Sequence, residues 1–235
     1  MKESDLINSR WDLKLLKILF EWAVSVVIKS HKNENSKLNG FIKWIEKSNK
    51  QTRSKNNLDK FASIITTNYD YSMEYNLLKS GEAKDAYKLF DYGFAWRKVA
   101  GKKGRILHRP RYSKYRILKL HGSVDWLKCE RCGYIYINPC MDIYSRYFEG
   151  MKDFGNSCHC GYWPLKPVLI TPSYVRNIFD TNIHEIWKSS LEYLRVADTW
   201  KIAGYSLPNE DFNIKSSFLR AWQEKETPCD CHSIG

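Results

Sequence analysis

The chain has 235 residues, of which 43% are hydrophobic, so it can bury a core and is not a disordered chain. Its formal net charge of +12 favours anionic partners but does not identify one. The most apolar N-terminal segment, Leu15–Ile28, is interrupted by Lys17 and Glu21 and is too short to span a bilayer. It also lacks the pattern of a signal peptide, so we expect a cytoplasmic protein.

The first half of the chain predicts a helical segment followed by one buried strand. Residues Trp11–Ser30 carry apolar side chains at helical spacing, and Phe41–Ile45 favours the start of a second helix. Phe61–Thr67 is short, apolar and β-branched, which predicts a buried strand, and Ser72–Lys79 follows it as a short helix. The segment Gly81–Arg109 is interpreted as a long irregular excursion.

The second half predicts strands that alternate with helices. The expected elements are a strand at Tyr115–Leu120, a strand at Pro167–Thr171, an amphipathic helix at Thr181–Val196, a strand at Lys201–Ala203 and a helix from Glu210 to about Trp222. Glu210 and Asp211 are expected in the first turn of the last helix, where acidic groups are favoured. Alternation with short links predicts a parallel sheet in a doubly wound α/β core.

Two close pairs of cysteines predict a metal site. They are Cys129 with Cys132 and Cys158 with Cys160, and a glycine follows each pair. This pattern suits zinc in a reducing compartment better than a disulfide framework. A four-thiolate zinc site is closed, so it contributes folding energy and not catalysis. Because the second pair has an unusual spacing, Cys140 or His159 is an alternative ligand, and a degenerate site without metal is the other alternative.

Polar residues follow three of the expected strands. Asn68 and Asp70 follow the first strand, and His121 follows the strand before the cysteines. A lone histidine at a strand end is more often structural, but the ordinary pKa of histidine, about 6.5, also suits a general base. The carboxyl ends of parallel strands meet in one crevice. Gly204 and Ser206 at a third strand end can approach a phosphate or ribose, so we expect a crevice that binds a sugar and its leaving group.

Five motifs occur in a fixed order along the chain: Thr66–Asp70, Leu120–Ser123, the paired cysteines, Pro167–Pro172 and Ile202–Leu207. This order resembles the SIR2 (sirtuin) family, and it is most similar to bacterial SIR2-like domains of antiphage defence. The resemblance implies an α/β fold with a Rossmann-like parallel sheet, a small zinc-ribbon insertion and an N-terminal helical segment. It divides the chain into a helical segment (1–60), an NAD⁺-binding core (61–128 and 161–224), a zinc ribbon (129–160) and a tail (225–235).

The resemblance also implies roles for the residues at the strand ends. Asn68 resembles the asparagine that orients the nicotinamide ribose and an attacking water. Asp70 resembles the aspartate that contacts the nicotinamide carboxamide, and His121 resembles the general base that acts on the ribose hydroxyl. Tyr205 replaces a threonine that is common in sirtuins that deacylate proteins. The implied catalytic set is therefore His121, Asn68 and Asp70.

The same resemblance implies further contacts with NAD⁺ and two departures from the family pattern. Thr67 is an expected contact, and Gly204 and Ser206 resemble the turn that holds the adenosine side. No G-x-G-x-x-G loop for the pyrophosphate precedes Ile64, and no further strand is expected after Trp222. A fragment of a longer protein, a degenerate relative and a pocket completed by another chain are the three explanations.

The leading functional hypothesis is an NAD⁺ hydrolase that cleaves the nicotinamide glycosidic bond, with a role in antiphage defence. One alternative is an NAD-dependent protein deacylase that uses the same pocket. Another is a truncated, catalytically inactive module that binds NAD⁺ weakly. A zinc-ribbon nucleic-acid binder, which would show steeply salt-dependent binding, is less favoured. The expected ligands are NAD⁺ and structural Zn²⁺; a partner domain or homo-oligomer stays open, and neither a membrane nor nucleic acid is expected as a partner.

Overall fold

The computed structural model describes residues 40–47, 62–80, 89–98, 106–107, 115–137, 158–162, 165–170, 180–206, 211–225 and 230–234. The predicted helix Trp11–Ser30 and Cys140 lie outside these ranges. In chain order, the described elements are α1 over residues 40–47, β1 (Ser63–Thr66), α2 (Ser72–Ser80), β2 (Phe90–Asp91), β3 (Trp96–Lys98), β4 (Ile106–Leu107), β5 (Tyr115–Lys119), β6 (Gly122–Lys128), β7 (Ile135–Ile137), β8 (Lys166–Leu169), α3 (Thr181–Val196), β9 (Thr199–Ala203), α4 (Phe212–Gln223) and β10 (Asp230–Ile234).

Three strands form a parallel sheet with the order β1-β5-β2. The last residue of β1, Thr66, lies opposite Lys119, the last residue of β5, and β2 pairs with the other side of β5. Ile117 and Leu118 are neighbours in β5 and point to opposite faces, yet both are fully buried. A strand that is covered on both faces is typical of a parallel sheet. The first two predicted strands are therefore confirmed, and they are neighbours.

Five strands form a second, mixed sheet with the order β4-β3-β7-β6-β8. Strands β2, β3 and β4 all fall within Gly81–Arg109, so the prediction of a wholly irregular excursion there is wrong. Strand β8 corresponds to the predicted strand Pro167–Thr171, but it pairs with β6 in antiparallel orientation. The prediction that it belongs to the parallel sheet is therefore wrong as well.

Buried aromatic rings hold the short strands of the mixed sheet. The ring centroid of Tyr92 lies 5.8 Å from that of Trp96 in β3 and 5.4 Å from that of Trp126 in β6, both in edge-to-face geometry. All three side chains are fully buried. Edge-to-face aromatic pairs contribute about 0.5–1.5 kcal/mol each beyond the area that they bury. This packing explains why strands of only two or three residues are stable in a segment with weak local strand signals.

Helix α3 confirms the predicted amphipathic helix and covers the central strand of the parallel sheet. The side chain of Asp180 caps its first turn by accepting hydrogen bonds from the backbone N–H groups of Asn182 and Ile183, at 2.9 and 3.2 Å. Ile183 and Ile186 are fully buried. The helix packs against β5, which leads directly to His121.

The C-terminal part contains a strand that the sequence did not indicate. Strand β10 follows α4 and pairs with β9 in parallel orientation, so the expectation of no further strand after Trp222 is wrong. Helix α4 begins at Phe212, and Asp211 precedes it instead of lying in its first turn as predicted. The Asp211 carboxylate accepts a hydrogen bond from the hydroxyl of Tyr205, so it ties the turn after β9 to the start of α4.

The chain passes from the parallel sheet to the mixed sheet through the two residues Leu120 and His121. Gly122, the first residue of β6, has a φ of +78°, in the left-handed region that glycine adopts without a steric penalty. A Cβ atom at this position would lie 2.1 Å from the carbonyl oxygen of Val168 in β8. Glycine is therefore required for β6 to approach β8 directly after His121.

A Gly122→Ala substitution is expected to lower the free energy of unfolding by at least about 2 kcal/mol, because it adds backbone strain and a clash with a backbone oxygen. Denaturant unfolding followed by circular dichroism measures this change. Gly133→Ala is the matched control, because Gly133 has a φ of +75° but no neighbouring atom within 4 Å of the added Cβ. Equal losses for the two variants would contradict the role of the close strand approach.

Candidate functional site

Asn68 and His121 follow neighbouring strands of the parallel sheet. The carbonyl oxygen of Thr66, at the end of β1, accepts a hydrogen bond of 2.9 Å from the backbone N–H of Leu120, just after β5. Because β1 and β5 are parallel, their carboxyl ends lie at the same edge of the sheet. Open α/β sheets bind ligands at this edge. Two of the predicted catalytic residues therefore extend from adjacent strand ends.

The loop that contains Tyr69 is attached to the turn that carries His121. The Tyr69 carbonyl oxygen accepts hydrogen bonds from the backbone N–H of Val124 and from the hydroxyl of Ser123, each at 3.0 Å. The Tyr69 hydroxyl donates to the carbonyl oxygen of Ile170. The N–H of Ile170 in turn donates to the His121 carbonyl oxygen at 2.9 Å. These bonds join the two motif segments and the end of β8 into one unit.

The His121 ring lies near two aromatic side chains. Its centroid is 5.9 Å from that of Tyr69 and 6.4 Å from that of Trp187 in α3. Trp187 is itself held by a 3.0 Å hydrogen bond from its Nε1 to the carbonyl oxygen of Leu120. Only 5% of His121 is exposed. The two neighbouring rings therefore help to restrict the orientation of the imidazole and to shield it from bulk water.

The polar residues of the first motif differ in their exposure. Asn68 is exposed, and its backbone N–H donates to the Thr66 hydroxyl oxygen at 3.1 Å. Asp70 Oδ1 accepts a 2.8 Å hydrogen bond from the backbone N–H of Ser72 at the start of α2. Thr67 is half-buried. Asn68 is thus accessible to solvent, whereas Asp70 holds the start of a helix.

Gly204 and Ser206 follow β9, and both are exposed. Gly204 has a φ of +62°, and no atom lies within 4 Å of the position of an added Cβ. Among the described strands, β9 pairs with β10 and not with β1 or β5. The hydroxyl of the intervening Tyr205 is used by Asp211. An adenosine contact at this turn therefore stays a prediction.

The four predicted metal ligands come together. The Sγ atoms of all four cysteines lie within 4.8 Å of one another: Cys129, Cys132, Cys158 and Cys160. Two of the Sγ–Sγ distances are 3.7 and 3.3 Å. Tetrahedral zinc with Zn–S bonds of about 2.3 Å places its sulfurs about 3.8 Å apart. The donor atoms therefore fit a four-coordinate metal ion. Residues 138–157 lie outside the described ranges, so the ribbon bounds 129–160 stay a prediction.

Each cysteine pair sits in a tight turn closed by a glycine. The backbone N–H of Gly133 donates to the Cys129 carbonyl oxygen, and that of Gly161 donates to the Cys158 carbonyl oxygen, both at 2.9 Å. These glycines have φ values of +75° and +79°. Positive φ turns back the chain and aims the two sulfurs of each pair at the same point. The glycine after each pair, visible in the sequence, therefore has a structural reason.

The thiols of this cluster need a cation to ionise together. Burial raises the pKa of Cys129, and burial also raises that of Cys132 to about 12. Burial acts in the same direction on Cys158, but hydrogen bonds from the Cys160 backbone N–H, the Tyr136 hydroxyl and Cys132 outweigh it and lower the pKa to about 6. A bound metal ion favours the thiolate form of every ligand. A bound metal ion would therefore favour the thiolate forms of Cys129 and Cys132, which burial alone disfavours.

The group of four cysteines does not include His159, although the His159 Nδ1 atom lies 3.3 Å from the Sγ of Cys158. The same Nδ1 atom lies 2.9 Å from the Tyr136 hydroxyl, and that hydroxyl lies 3.2 Å from the Sγ of Cys158. The backbone N–H of His159 also donates to the Tyr136 hydroxyl at 3.0 Å. Tyr136 and His159 thus surround the Cys158 sulfur and restrict its position. Of the two alternative ligands, Cys140 lies outside the described residues.

Several residues next to the motif residues were not identified from the sequence: Lys119, Glu74, Asp125, Tyr69 and Trp187. Lys119 carried a signal that could have been used, because a lysine inside an apolar strand must find a buried partner. The partners of Lys119 gave no such signal. Glu74 is 45 residues away in the sequence, and Asp125 lies on a different strand. Trp187 fits the apolar face of a helix, and that pattern indicates only a core residue.

In the described part of the chain, no helix combines the length and the hydropathy that a membrane span requires.

Comparison with known proteins agrees with the geometry of this site. A search of curated proteins found no significant match. The family model of the SIR2-like domain matches residues 62–226, which is more than half of the chain and includes both strand-end motifs and the four cysteines. The chain therefore belongs to the SIR2-like domain family, whose members typically have NAD⁺-related functions.

Proposed function

We propose that this domain binds NAD⁺ and hydrolyses its nicotinamide glycosidic bond. The products are nicotinamide and ADP-ribose, with a water molecule supplying the oxygen to the ribose C1′ atom. The observation that supports this most directly is the placement of Asn68 and His121 after adjacent parallel strands linked by the Leu120–Thr66 hydrogen bond. The proposed setting is antiphage defence, because the motif set resembles bacterial domains with that role.

In this proposal, each motif residue has a role that its surroundings support. The buried His121 imidazole, held near Tyr69 and Trp187, accepts a proton from the ribose hydroxyl. The amide of the exposed residue Asn68 orients the ribose and the attacking water. Asp70 contacts the nicotinamide carboxamide with the part of its carboxylate that does not hold the start of α2. An imidazole restricted by packing needs little rearrangement before the reaction.

We further propose that the metal of the cysteine cluster is zinc with a structural role. Four thiolates fill a tetrahedral coordination shell and leave no position for water or substrate. A closed site of this kind stabilises a fold and does not activate a nucleophile. The catalytic proposal therefore depends on His121 and Asn68 and not on the metal.

The proposal predicts nicotinamide release when the purified chain is incubated with NAD⁺ without any acylated peptide. Asn68→Ala is expected to slow this release by about 10²-fold, because the ribose and water lose their orientation. Chromatography of nicotinamide and ADP-ribose measures both rates. Asn182→Ala is the matched control, because the Asn182 amide donates a 3.0 Å hydrogen bond to the Gly133 carbonyl oxygen and, among the described residues, to no residue of the strand-end motifs.

The same assay, together with NAD⁺ calorimetry, distinguishes the alternative functions. Nicotinamide release that requires an acyl-lysine peptide would indicate a protein deacylase. NAD⁺ binding by calorimetry without any release would indicate an inactive binding module. Each of these results would contradict hydrolysis by this chain.

A further inference from the structure

Beneath the predicted site lies a group of buried charged side chains that the proposed reaction does not use. Lys119 at the end of β5, Glu74 in α2 and Asp125 in β6 are all 1% exposed or less. The Lys119 Nζ atom lies 3.0 Å from Glu74 Oε1. Burying charges costs several kcal/mol per ion, and apolar residues of similar size often replace a buried ion pair without loss of stability. Fold stability alone therefore gives little reason for charges at these positions.

Lys119 contacts the motif loop directly. Its ammonium group donates a hydrogen bond to the backbone carbonyl oxygen of Asp70, the last residue of the first motif, as well as to Glu74. Lys119 also lies opposite Thr66 in the sheet and precedes His121 by two residues. One side chain thus connects the strand that leads to the predicted base with the loop that carries Asn68.

The surrounding charges keep Lys119 protonated. Burial works against its charged form, but the nearby Glu74, Asp125 and Asp70 outweigh this effect and raise its pKa. Burial also raises the pKa of Asp125 to about 7, and the negative charge of Glu74 adds to this effect, whereas Lys119 opposes it. Lys119 therefore remains a charged hydrogen-bond donor to the Asp70 carbonyl oxygen at neutral pH. A charge-assisted bond of this kind is stronger than one between neutral groups.

We propose that Lys119 is a positioning residue that fixes the Asn68–Asp70 loop relative to His121, with Glu74 holding its ammonium in place. This inference rests on the proposed function, because the reaction requires Asn68 and His121 at a fixed separation. An apolar residue could fill the volume of Lys119, but it could not bind the Asp70 carbonyl oxygen. A displacement of about 1 Å at a reacting centre can cost about 10²-fold in rate.

The test compares three variants of the full chain: Lys119→Met, Glu74→Gln and the double variant with both changes. Lys119→Met leaves Glu74 without its cation and is expected to lower both stability and kcat, with kcat reduced by at least about 10-fold. Glu74→Gln keeps the bond to Asp70 and is expected to lower stability while kcat stays within about threefold. The double variant is expected to regain stability relative to Lys119→Met, without regaining kcat.

The inference is tested by whether kcat and Tm change independently of each other in these variants. A double variant that recovers both Tm and kcat would show that Lys119 acts only through the stability of the ion pair, and the inference would be overturned. Lys43→Met is the matched control, because Lys43 is an exposed residue of α1. It is expected to change neither kcat nor Tm.

A second measurement does not depend on catalysis. Amide hydrogen exchange of a peptide that covers residues 67–73 is expected to be at least about 10-fold faster in Lys119→Met than in the wild type or Lys43→Met. If the wild type does not cleave NAD⁺ but this exchange increases, the proposed function fails while the positioning of the loop by Lys119 stands. Unchanged exchange in a folded Lys119→Met variant would overturn the inference, whatever the activity.

Discussion

Replacing His121 by glutamine is expected to slow nicotinamide release from NAD⁺ by about 10²- to 10⁴-fold, the usual contribution of a positioned general base. Glutamine retains hydrogen-bonding groups but cannot accept a proton from the ribose hydroxyl at neutral pH. Because it also occupies part of the space beside Tyr69 and Trp187, the fold is expected to persist. Steady-state kinetics and NAD⁺ calorimetry give the rate and the affinity separately.

The expected loss for His121→Gln lies in kcat, with NAD⁺ affinity within about threefold of the wild type, because a base acts in the transition state. His184→Gln is the matched control, since His184 is an exposed residue of α3, and it is expected to leave both quantities unchanged. Circular dichroism verifies that both variants are folded. A His121→Gln variant that turns over NAD⁺ at the wild-type rate would remove this residue from the mechanism.

Removing the metal from the cysteine cluster is expected to unfold the ribbon and to lower the Tm of the whole chain. Structural zinc contributes about 10–16 kcal/mol of apparent binding free energy in small zinc-binding domains, which equals or exceeds the net stability of most domains, about 5–15 kcal/mol. Metal analysis of the purified protein is expected to give about one zinc ion per chain. Chelation, or Cys158→Ser, is expected to release it and to lower the Tm.

A matched control for the metal ligands is Cys231→Ser, because Cys231 is an exposed cysteine on β10, outside the cluster. This variant is expected to retain the metal and the Tm of the wild type. Cobalt substitution is expected to preserve NAD⁺ cleavage, since the proposed metal does not touch the substrate. A chain that loses its metal without any change in Tm would contradict a structural role.

The parallel part of the fold could be predicted because its strands carry strong local signals. Phe61–Thr67 and Tyr115–Leu120 are apolar runs of suitable length, and their polar successors indicated that Asn68 and His121 share a sheet edge. The cysteine pairs were equally clear, since spacing and the following glycines are local features. Each of these predictions depended on a few consecutive residues.

The mixed sheet could not be predicted because its strands depend on distant contacts. Strand β6 alternates polar and apolar residues from Ser123 to Trp126, which favours a strand with one exposed face. Ser123 and Asp125 are nevertheless buried, so this pattern does not indicate the place of β6 in the core. Strands β2 and β4 have two residues each, which no local pattern can indicate. Strand β8 pairs with β6 in antiparallel orientation. The sequence of a single strand does not indicate whether it will pair in parallel or antiparallel orientation.

The C-terminal strand was missed for a related reason. Strand β10 is Asp-Cys-His-Ser-Ile, which has one β-branched residue and a largely polar composition. Its existence follows from backbone pairing with β9, from Asp230 opposite Thr199 to Ile234 opposite Ala203. Lys119 shows the opposite situation, because its burial was foreseeable from the sequence but the identity of its partners was not.

The length of β6 has a consequence for how the metal can influence the reaction. This strand begins directly after His121 and ends directly before Cys129, so at about 3.3 Å per residue it separates the two by up to roughly 25 Å. A Coulomb interaction weakens with distance, so at this separation we expect the charge of the proposed metal site to act only weakly on the imidazole. We therefore expect the proposed metal to influence the imidazole by anchoring the far end of β6, not through its charge.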